Sequence, residues 1–300
     1  MELGSLTDVG MEREHNEDNV LVTRFQFFRG SRRTAYTMLI LSDGMGGAAA
    51  GEVASRMVVQ SMATMLYRDL LDAHLNLNQQ YVNVEKLLIA AVSDVNERVH
   101  SEAQDRPGCR GMGATLTVGV LCQGKLFVAH VGDSRLYLLR NNRLLQLTRD
   151  HSLVGELLRE GRITEEQARH HPRKNVITRA VGSRPTLQVD AFCELIEAGD
   201  AILLCSDGLS GMVRDEEIRT SMALGLKRRS GLEAISRELV RMANEAGGSD
   251  NISVILAQVR NEDIPPQTTE LVQLENEATL SWDAAIEYGF HDASFATVDD

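Results

Sequence analysis

A chain of 300 residues that is 43% hydrophobic and 25% charged is long enough for one large core or two small ones. Its net charge of −12 argues against a nucleic-acid surface, and it is unevenly spread: residues 261–300 carry ten Asp/Glu and no Lys/Arg, leaving 33 acidic against 31 basic residues before them. No apolar run approaches the roughly 20 residues that span a bilayer, and Met1-Glu2-Leu3-Gly4-Ser5 is not a charged-then-apolar leader.

The four cysteines (Cys109, Cys122, Cys193, Cys205) lack paired metal spacing. Cys122, Cys193 and Cys205 lie in strand-like runs, where a small buried thiol is the default. The expectation is a reduced, cytoplasmic protein without membrane or nucleic-acid contacts.

In chain order, residues 3–9 and 19–28 read as strands, separated by the polar stretch Gly10 to Asp18. Thr34–Ser42 is the next strand, followed by a glycine turn and a helix from about Ala50 to Leu71. Leu75–Tyr81 is a polar connection to a second helix over Val84–Glu102. There Val84, Leu87, Leu88, Ala91, Val92, Val95 and Val99 recur at three and four, making one apolar face. Strands are predicted at Ala114–Cys122, Lys125–Val131, Arg135–Arg140 and Leu144–Thr148, with hairpin turns at Gln123-Gly124 and Asn141-Asn142; together they read as a meander. Strands, two long helices and more strands make an α+β order, with a partly antiparallel sheet.

Arg149–Ser183 differs in kind. It holds short helix patterns at Ser152–Glu160 and Thr164–His170, then the basic run His170-His171-Pro172-Arg173-Lys174, and reads as an excursion over the surface. Strands follow at Leu187–Leu195 and Ala201–Ser206, helices at Asp215–Ala223 and Gly231–Ala246, and a last strand at Asn251–Val259. Residues 261–300 have the composition of a linker or tail, with Trp282, Tyr288, Phe290 and Phe295 arguing for some docking.

Aspartates recur at strand tips. Asp43-Gly44, Asp133 and Asp207-Gly208 each end an apolar run, Asp250 heads another, and Glu17-Asp18 precedes a fifth. One Asp-Gly is ordinarily a turn. Bare carboxylates 4 Å apart repel by about 4 kcal/mol at an effective dielectric near 20, so a cluster of them needs cations. All-oxygen ligands select hard ions such as Mg²⁺, Mn²⁺ or Ca²⁺. Arg13, beside the Glu17-Asp18 pair, is either a surface charge or a clamp for phosphate oxygens. His15 reads as a solvated loop histidine. Gly44-Met45-Gly46-Gly47-Ala48-Ala49 also satisfies the G-x-G-x-x-A fingerprint of a dinucleotide-binding oxidoreductase, although Asp43 would set a negative charge beside the pyrophosphate.

Taken together, Arg13…Asn16-Glu17-Asp18, Ser42-Asp43-Gly44-Met45-Gly46-Gly47, Gly113-Ala114-Thr115, Val131-Gly132-Asp133-Ser134-Arg135, Asp150-His151-Ser152, Ile177-Thr178-Arg179-Ala180-Val181-Gly182, Ser206-Asp207-Gly208-Leu209 and Ser249-Asp250-Asn251 form an ordered series. That series resembles the metal-dependent protein phosphatases of type 2C, the PPM family, in their compact bacterial form. The resemblance implies a four-layer α-β-β-α sandwich of two mainly antiparallel sheets flanked by helix pairs. It places a phosphatase domain at 1–260, with a flap at about 149–183, and does not extend to the acidic tail at 261–300, which composition alone reads as partly disordered or docked.

The implied activity is hydrolysis of phosphoserine and phosphothreonine on proteins by attack of a metal-bridging hydroxide, opposing a serine/threonine kinase, in a monomeric enzyme. Asp43 would bridge two Mn²⁺ or Mg²⁺ ions. Asp207 and Asp250 would bind the first and the Gly44 carbonyl the second. Asp18, and more weakly Glu17, would hold metal-bound waters, and Arg13 would grip the phosphate. Asp133 would join Asp207 at a third ion. The chain departs from most bacterial relatives at Ala48, where they carry the histidine proposed as general acid; His15 is the alternative donor. The other rival to an active enzyme is a phosphatase fold kept as a regulatory module.

Overall fold

The computed structural model describes residues 1–30, 32–75 and 82–265. Among these residues, eleven strands form two antiparallel sheets. The first has the order β1 (Glu2–Asp8), β11 (Ile252–Gln258), β10 (Ala201–Cys205), β7 (Arg135–Arg140), β8 (Arg143–Gln146). The second runs β2 (Asp18–Arg29), β3 (Arg32–Met45), β5 (Leu116–Cys122), β6 (Lys125–Val131), β9 (Asp190–Leu195), with β4 (Gly113–Ala114) paired to the end of β3.

The apolar runs are buried on both faces, which is why they lack alternation. In β3, Met38 and Ile40 pack toward α1 (Ala48–Leu75) and α2 (Val84–Asp105), while Leu39 and Leu41 enter the layer between the sheets. In β10, Leu203 and Cys205 pack toward α6 (Asp215–Arg228) and α7 (Leu232–Glu245), while Ile202 and Leu204 face the other sheet. The period-2 geometry of a strand therefore serves two cores at once. The predicted four-layer sandwich is the observed architecture.

Local turn chemistry is borne out. Gln123 and Gly124 (φ 50° and 74°) and Asn141 and Asn142 (φ 51° and 62°) take the left-handed conformation that tight hairpins require. The meander is not: β6 and β7 belong to different sheets. The link Gly132-Asp133-Ser134 carries the chain across the sandwich, with Gly132 at φ 113°, where an added Cβ would lie 2.6 Å from Thr115.

Three further differences concern single elements. α1 starts at Ala48 and runs to Leu75, beyond the expected 50–71, its first turn built of three alanines, the best helix formers. A short helix at Asp207–Ser210 (α5) was not expected. Cys193 is exposed, unlike buried Cys122 and Cys205, because β9 is an edge strand.

The 149–183 segment holds α3 (Leu153–Arg159, N-capped by Ser152) and α4 (Glu165–Arg169, with a Thr164–Gln167 capping box). It is more than a surface excursion. Its roots are fixed by a bridge between Ser152 and Ile177 and by one between Ala114 and Val181, and His151, Ser152, Ala180 and Val181 are buried. The expectations for residues 76–81 and for the acidic tail beyond residue 265, including Trp282, Tyr288, Phe290 and Phe295, lie outside the described residues.

Candidate active site

One end of the sandwich collects the predicted carboxylates. Antiparallel pairing sets the start of β2 beside the end of β3, so Asp18 and Asp43 are direct cross-strand partners. From the other sheet, Asp207 follows β10 and Asp250 precedes β11, while Asp133 lies on the link between the sheets. Asp43 and Asp207, 164 positions apart in sequence, thus share one field. Asp43 feels, after its own burial, the charges of Asp18, Asp207, Asp133 and Asp250, and its carboxyl is pushed well above the usual carboxylate range.

Glycine makes the site's backbone possible. An added Cβ at Gly44 would lie 2.1 Å from the carbonyl oxygen of Gly51, in the first turns of α1. The Gly44 N–H donates to the Glu17 carbonyl (3.2 Å), tying the glycine turn to the Arg13 loop. The Asp43 backbone is clamped by Thr115, whose N–H donates to the Asp43 carbonyl (2.8 Å) and whose hydroxyl accepts from the Asp43 N–H (2.9 Å).

Both carboxylate oxygens of Asp18, and one each of Asp133 and Asp207, are buried without a hydrogen-bond partner. The Ser206 and Ser253 hydroxyls near Asp18 temper its shift but are shared, Ser206 with the Asn251 carbonyl (3.3 Å) and Ser253 with Thr7 (2.7 Å). Burial above all, with the neighbouring negative charges, raises Asp18 to about 7 and Asp207 to about 6. Burial and Asp207 likewise push Asp133 well up. Orphaned buried anions are costly unless a cation joins them. The donor set is all oxygen, which fits Mn²⁺, Mg²⁺ or Ca²⁺ and not zinc. Among the described residues no three His, Cys, Asp or Glu side chains are gathered tightly enough to hold an ion by themselves. Backbone oxygens and water would have to complete any coordination shell.

Arg13 is not free. Its Nη2 donates to Asp250 Oδ2 (2.8 Å), while about half of the side chain stays exposed. His15 is exposed in the same loop. Asn251, to which the sequence reading assigned no role, braces that loop. Its Oδ1 accepts from the Glu17 N–H (2.8 Å) and its Nδ2 donates to the carbonyls of Val9 and His15 (2.9 Å each). Position beside Asp250 was its only sequence signal. The Gly44–Ala49 fingerprint is corrected here: β3 is antiparallel to both of its neighbours and α1 is followed by α2, so the turn lies in no βαβ unit.

The raised carboxyls imply a pH dependence for the metal-free protein. Groups whose folded pKa exceeds their unfolded value of 3.8 contribute stability that is complete below that value and is lost as pH rises through about 6 and 7. Buried His130, lowered to about 4 by burial and by His151, works the other way between about 4 and 6.5, but it is one group against Asp18, Asp43, Asp133 and Asp207. Thermal stability without metal should therefore fall from pH 5 to pH 7, by up to about 1.4 kcal/mol per pH unit for each net proton. Divalent ions should raise Tm more at pH 7 than at pH 5. A metal-free Tm that is flat or rising across this range would contradict the arrangement.

A family model described as Protein phosphatase 2C matches residues 16–257. Protein phosphatase PhpP of Streptococcus pneumoniae is 38% identical over 266 residues, covering 88% of this chain and 99% of its own. The crystal structure of the Mycobacterium tuberculosis serine/threonine phosphatase PstP/Ppp superposes with a TM-score of 0.71 at 35% identity, covering 86% of this chain and 98% of that one. The catalytic domain of PstP in complex with two manganese ions gives a TM-score of 0.70 at 34% identity, with 86% and 98% coverage.

Proposed function

The chain belongs to the protein phosphatase 2C family and is a serine/threonine protein phosphatase, and from that premise we propose how its own residues divide the work. Asp43, Asp207 and Asp250, with water completing the shell, would hold one divalent ion, and Asp43 with the Gly44 carbonyl would hold a second. Asp18, with Glu17 in a lesser role, would orient water in the site. Asp133 would join Asp207 at a third, looser position. The observation that carries this reading is the set of buried, partnerless carboxylate oxygens at converging strand tips. The PstP structure with two manganese ions supports divalent-metal dependence, and we favour Mn²⁺ or Mg²⁺.

Bound divalent ions supply the positive charge that makes water a nucleophile at neutral pH and steadies the phosphoryl oxygens. The residues do the rest. Arg13 holds the phosphate through the guanidinium edge not spent on Asp250, in the bidentate geometry that suits it. The half-exposed side chain supports that role. Hydrolysis breaks the P–O ester bond, adds water to phosphorus and leaves a serine or threonine alkoxide that must gain a proton. No protein nucleophile is required. The retained acidic set argues against a retired regulatory module.

The substrates are phosphoproteins, and an opposing serine/threonine kinase is part of the proposal. So are a monomeric state, a phosphatase domain ending near residue 260 with the acidic tail apart from it, and a cytoplasmic location. No described helix is long and apolar enough to cross a membrane.

Hydrolysis of p-nitrophenyl phosphate and of a phosphothreonine peptide, with chelator and then with added Mn²⁺ or Mg²⁺, tests the reading. Activity should vanish in chelator and return with the ion; turnover indifferent to chelation would reject the metal assignment. Asp133→Ala should leave two ions bound with near wild-type affinity by calorimetry, yet lower kcat ~10-fold or more and raise the Mn²⁺ concentration needed for half-maximal rate. Unchanged kcat and metal dependence would remove Asp133 from the site.

A further inference from the structure

The least explained polar group near the site is buried His151, in the outgoing root of the flap. It grips Gly132 through the peptides on both of its sides. The His151 backbone N–H donates to the Gly132 carbonyl (2.7 Å), and the Gly132 N–H donates to the ring Nδ1 of His151 (3.1 Å). A ring nitrogen that accepts from a backbone amide is unprotonated, so the other nitrogen carries the hydrogen. That Nε2 lies 3.2 Å from Asp190 Oδ2, at the start of β9. Arg179 Nη1 donates to the other Asp190 oxygen (3.0 Å) and also lies 3.2 Å from Nε2; a guanidinium only donates and so competes for that nitrogen, and the Gly132 N–H on Nδ1 together with Asp190 decides for the hydrogen on Nε2. Burial opposes the Asp190 charge, but the His151 hydrogen bond and the Arg179 charge outweigh it and hold the carboxyl below its usual range.

The same residue gathers both flap roots. Its carbonyl accepts from the Thr178 N–H (2.8 Å) on the returning segment, and Leu153 N–H donates to the Val176 carbonyl (2.9 Å) one step out. On the near side, Asp150 is fixed by Arg135 through Nε and Nη2 (2.8–3.1 Å). Gly132 directly precedes Asp133, the aspartate with an orphaned buried oxygen. With φ 113° and its space closed by Thr115, the Gly132 peptide has little freedom of its own, so turning it turns Asp133.

We propose that His151 is a positioning residue: through the Gly132 peptide it fixes the direction of the Asp133 carboxylate relative to the flap, so flap placement and the Asp133 site change together. Asp190 serves it by holding the tautomer that leaves Nδ1 free to accept. The inference rests on the assignment of Asp133 made above.

Two amides separate the roles of the ring nitrogens. Asparagine places an acceptor near Nδ1, whereas glutamine reaches the Nε2 position and leaves the Gly132 N–H without one. In metal-free protein, His151→Asn should keep amide hydrogen exchange at Gly132 within a few-fold of wild type, and His151→Gln should accelerate it ~10-fold or more, with Thr178 following. His151→Gln should lower kcat on a phosphothreonine peptide by about the factor that Asp133→Ala does, and cost less than ~2-fold more when added to Asp133→Ala, as coupled residues do. A merely structural histidine would be lost equally in both amides and would add fully to Asp133→Ala; either result overturns the proposal. Should His151→Gln not fold, Asp190→Asn probes the joint from outside. It should speed Gly132 exchange and be non-additive with Asp133→Ala, and an effect that is absent or additive rejects the proposal. A silent Asp133→Ala sinks the assignment of Asp133 and the proposal with it. An impaired Asp133→Ala with full additivity sinks the proposal alone.

Discussion

Asp43→Asn should abolish phosphate-ester hydrolysis while making the metal-free protein more stable at pH 7. Both effects come from one charge. Asp43 sits where the fields of Asp18, Asp133, Asp207 and Asp250 add, and burial with that repulsion raises its pKa well above the ordinary range. Replacing carboxylate by amide removes a like charge from the metal-free cluster, which is favourable, and removes the shared ligand charge from the loaded one, which is not. The backbone clamp of Thr115 on Asp43 uses only the main chain, so the substitution leaves it in place. The expected loss in kcat is at least ~10²–10³-fold, the scale seen when one preorganised electrostatic element is removed. Calorimetric titration with Mn²⁺ and thermal melts at pH 7 with and without the ion separate the two effects. A variant that keeps near-normal Mn²⁺-stimulated activity, or that is less stable than wild type without metal, would show that Asp43 is not the bridging group.

Aryl phosphates should be favoured over phosphoserine and phosphothreonine peptides more strongly than in histidine-bearing relatives. The cause is Ala48, the first residue of α1, where the family resemblance leads one to expect the histidine acid. Alanine cannot donate a proton. A serine or threonine alkoxide leaves poorly without one, at a cost of ~10²–10⁴-fold, whereas p-nitrophenolate leaves unaided. Plotted against leaving-group pKa, log kcat/KM should fall steeply for the wild type, and Ala48→His should flatten the line. Exposed His15, whose loop is pinned through its carbonyl to Asn251, is the nearest alternative donor by sequence. A shallow wild-type slope that steepens in His15→Ala would move the acid role to His15. A slope shallow in wild type, Ala48→His and His15→Ala alike would mean that Ala48 is no handicap.

By itself the sequence determined the strands, the long helices and the identity of the acidic set. Strand and helix periods are local, and both kinds of element follow from neighbours one to four positions apart. The turns at Gln123-Gly124 and Asn141-Asn142 were legible for the same reason, since positive φ is a property of the residues in the turn. The order of the motifs, read through the family they resemble, also carried the four-layer architecture and the roles expected of Asp18, Asp43, Asp133, Asp207 and Asp250.

Tertiary structure alone decided what depends on partners distant in sequence. Nothing local says that the chain leaves one sheet at Gly132 and enters the other at Arg135, because a hairpin and a crossover use the same turn residues. The exposure of Cys193 follows from β9 lying at an edge, a matter of what else joins the sheet. The pairing of Arg13 with Asp250, the bracing by Asn251 and the grip of His151 on Gly132 join residues 237, between 234 and 242, and 19 positions apart. Hydrogen bonds of that kind are set by where folded strands end, and periodicity holds no record of them. The raised carboxyls are likewise a collective property: each aspartate alone would titrate ordinarily, and only convergence of the strand tips, with burial, moves them.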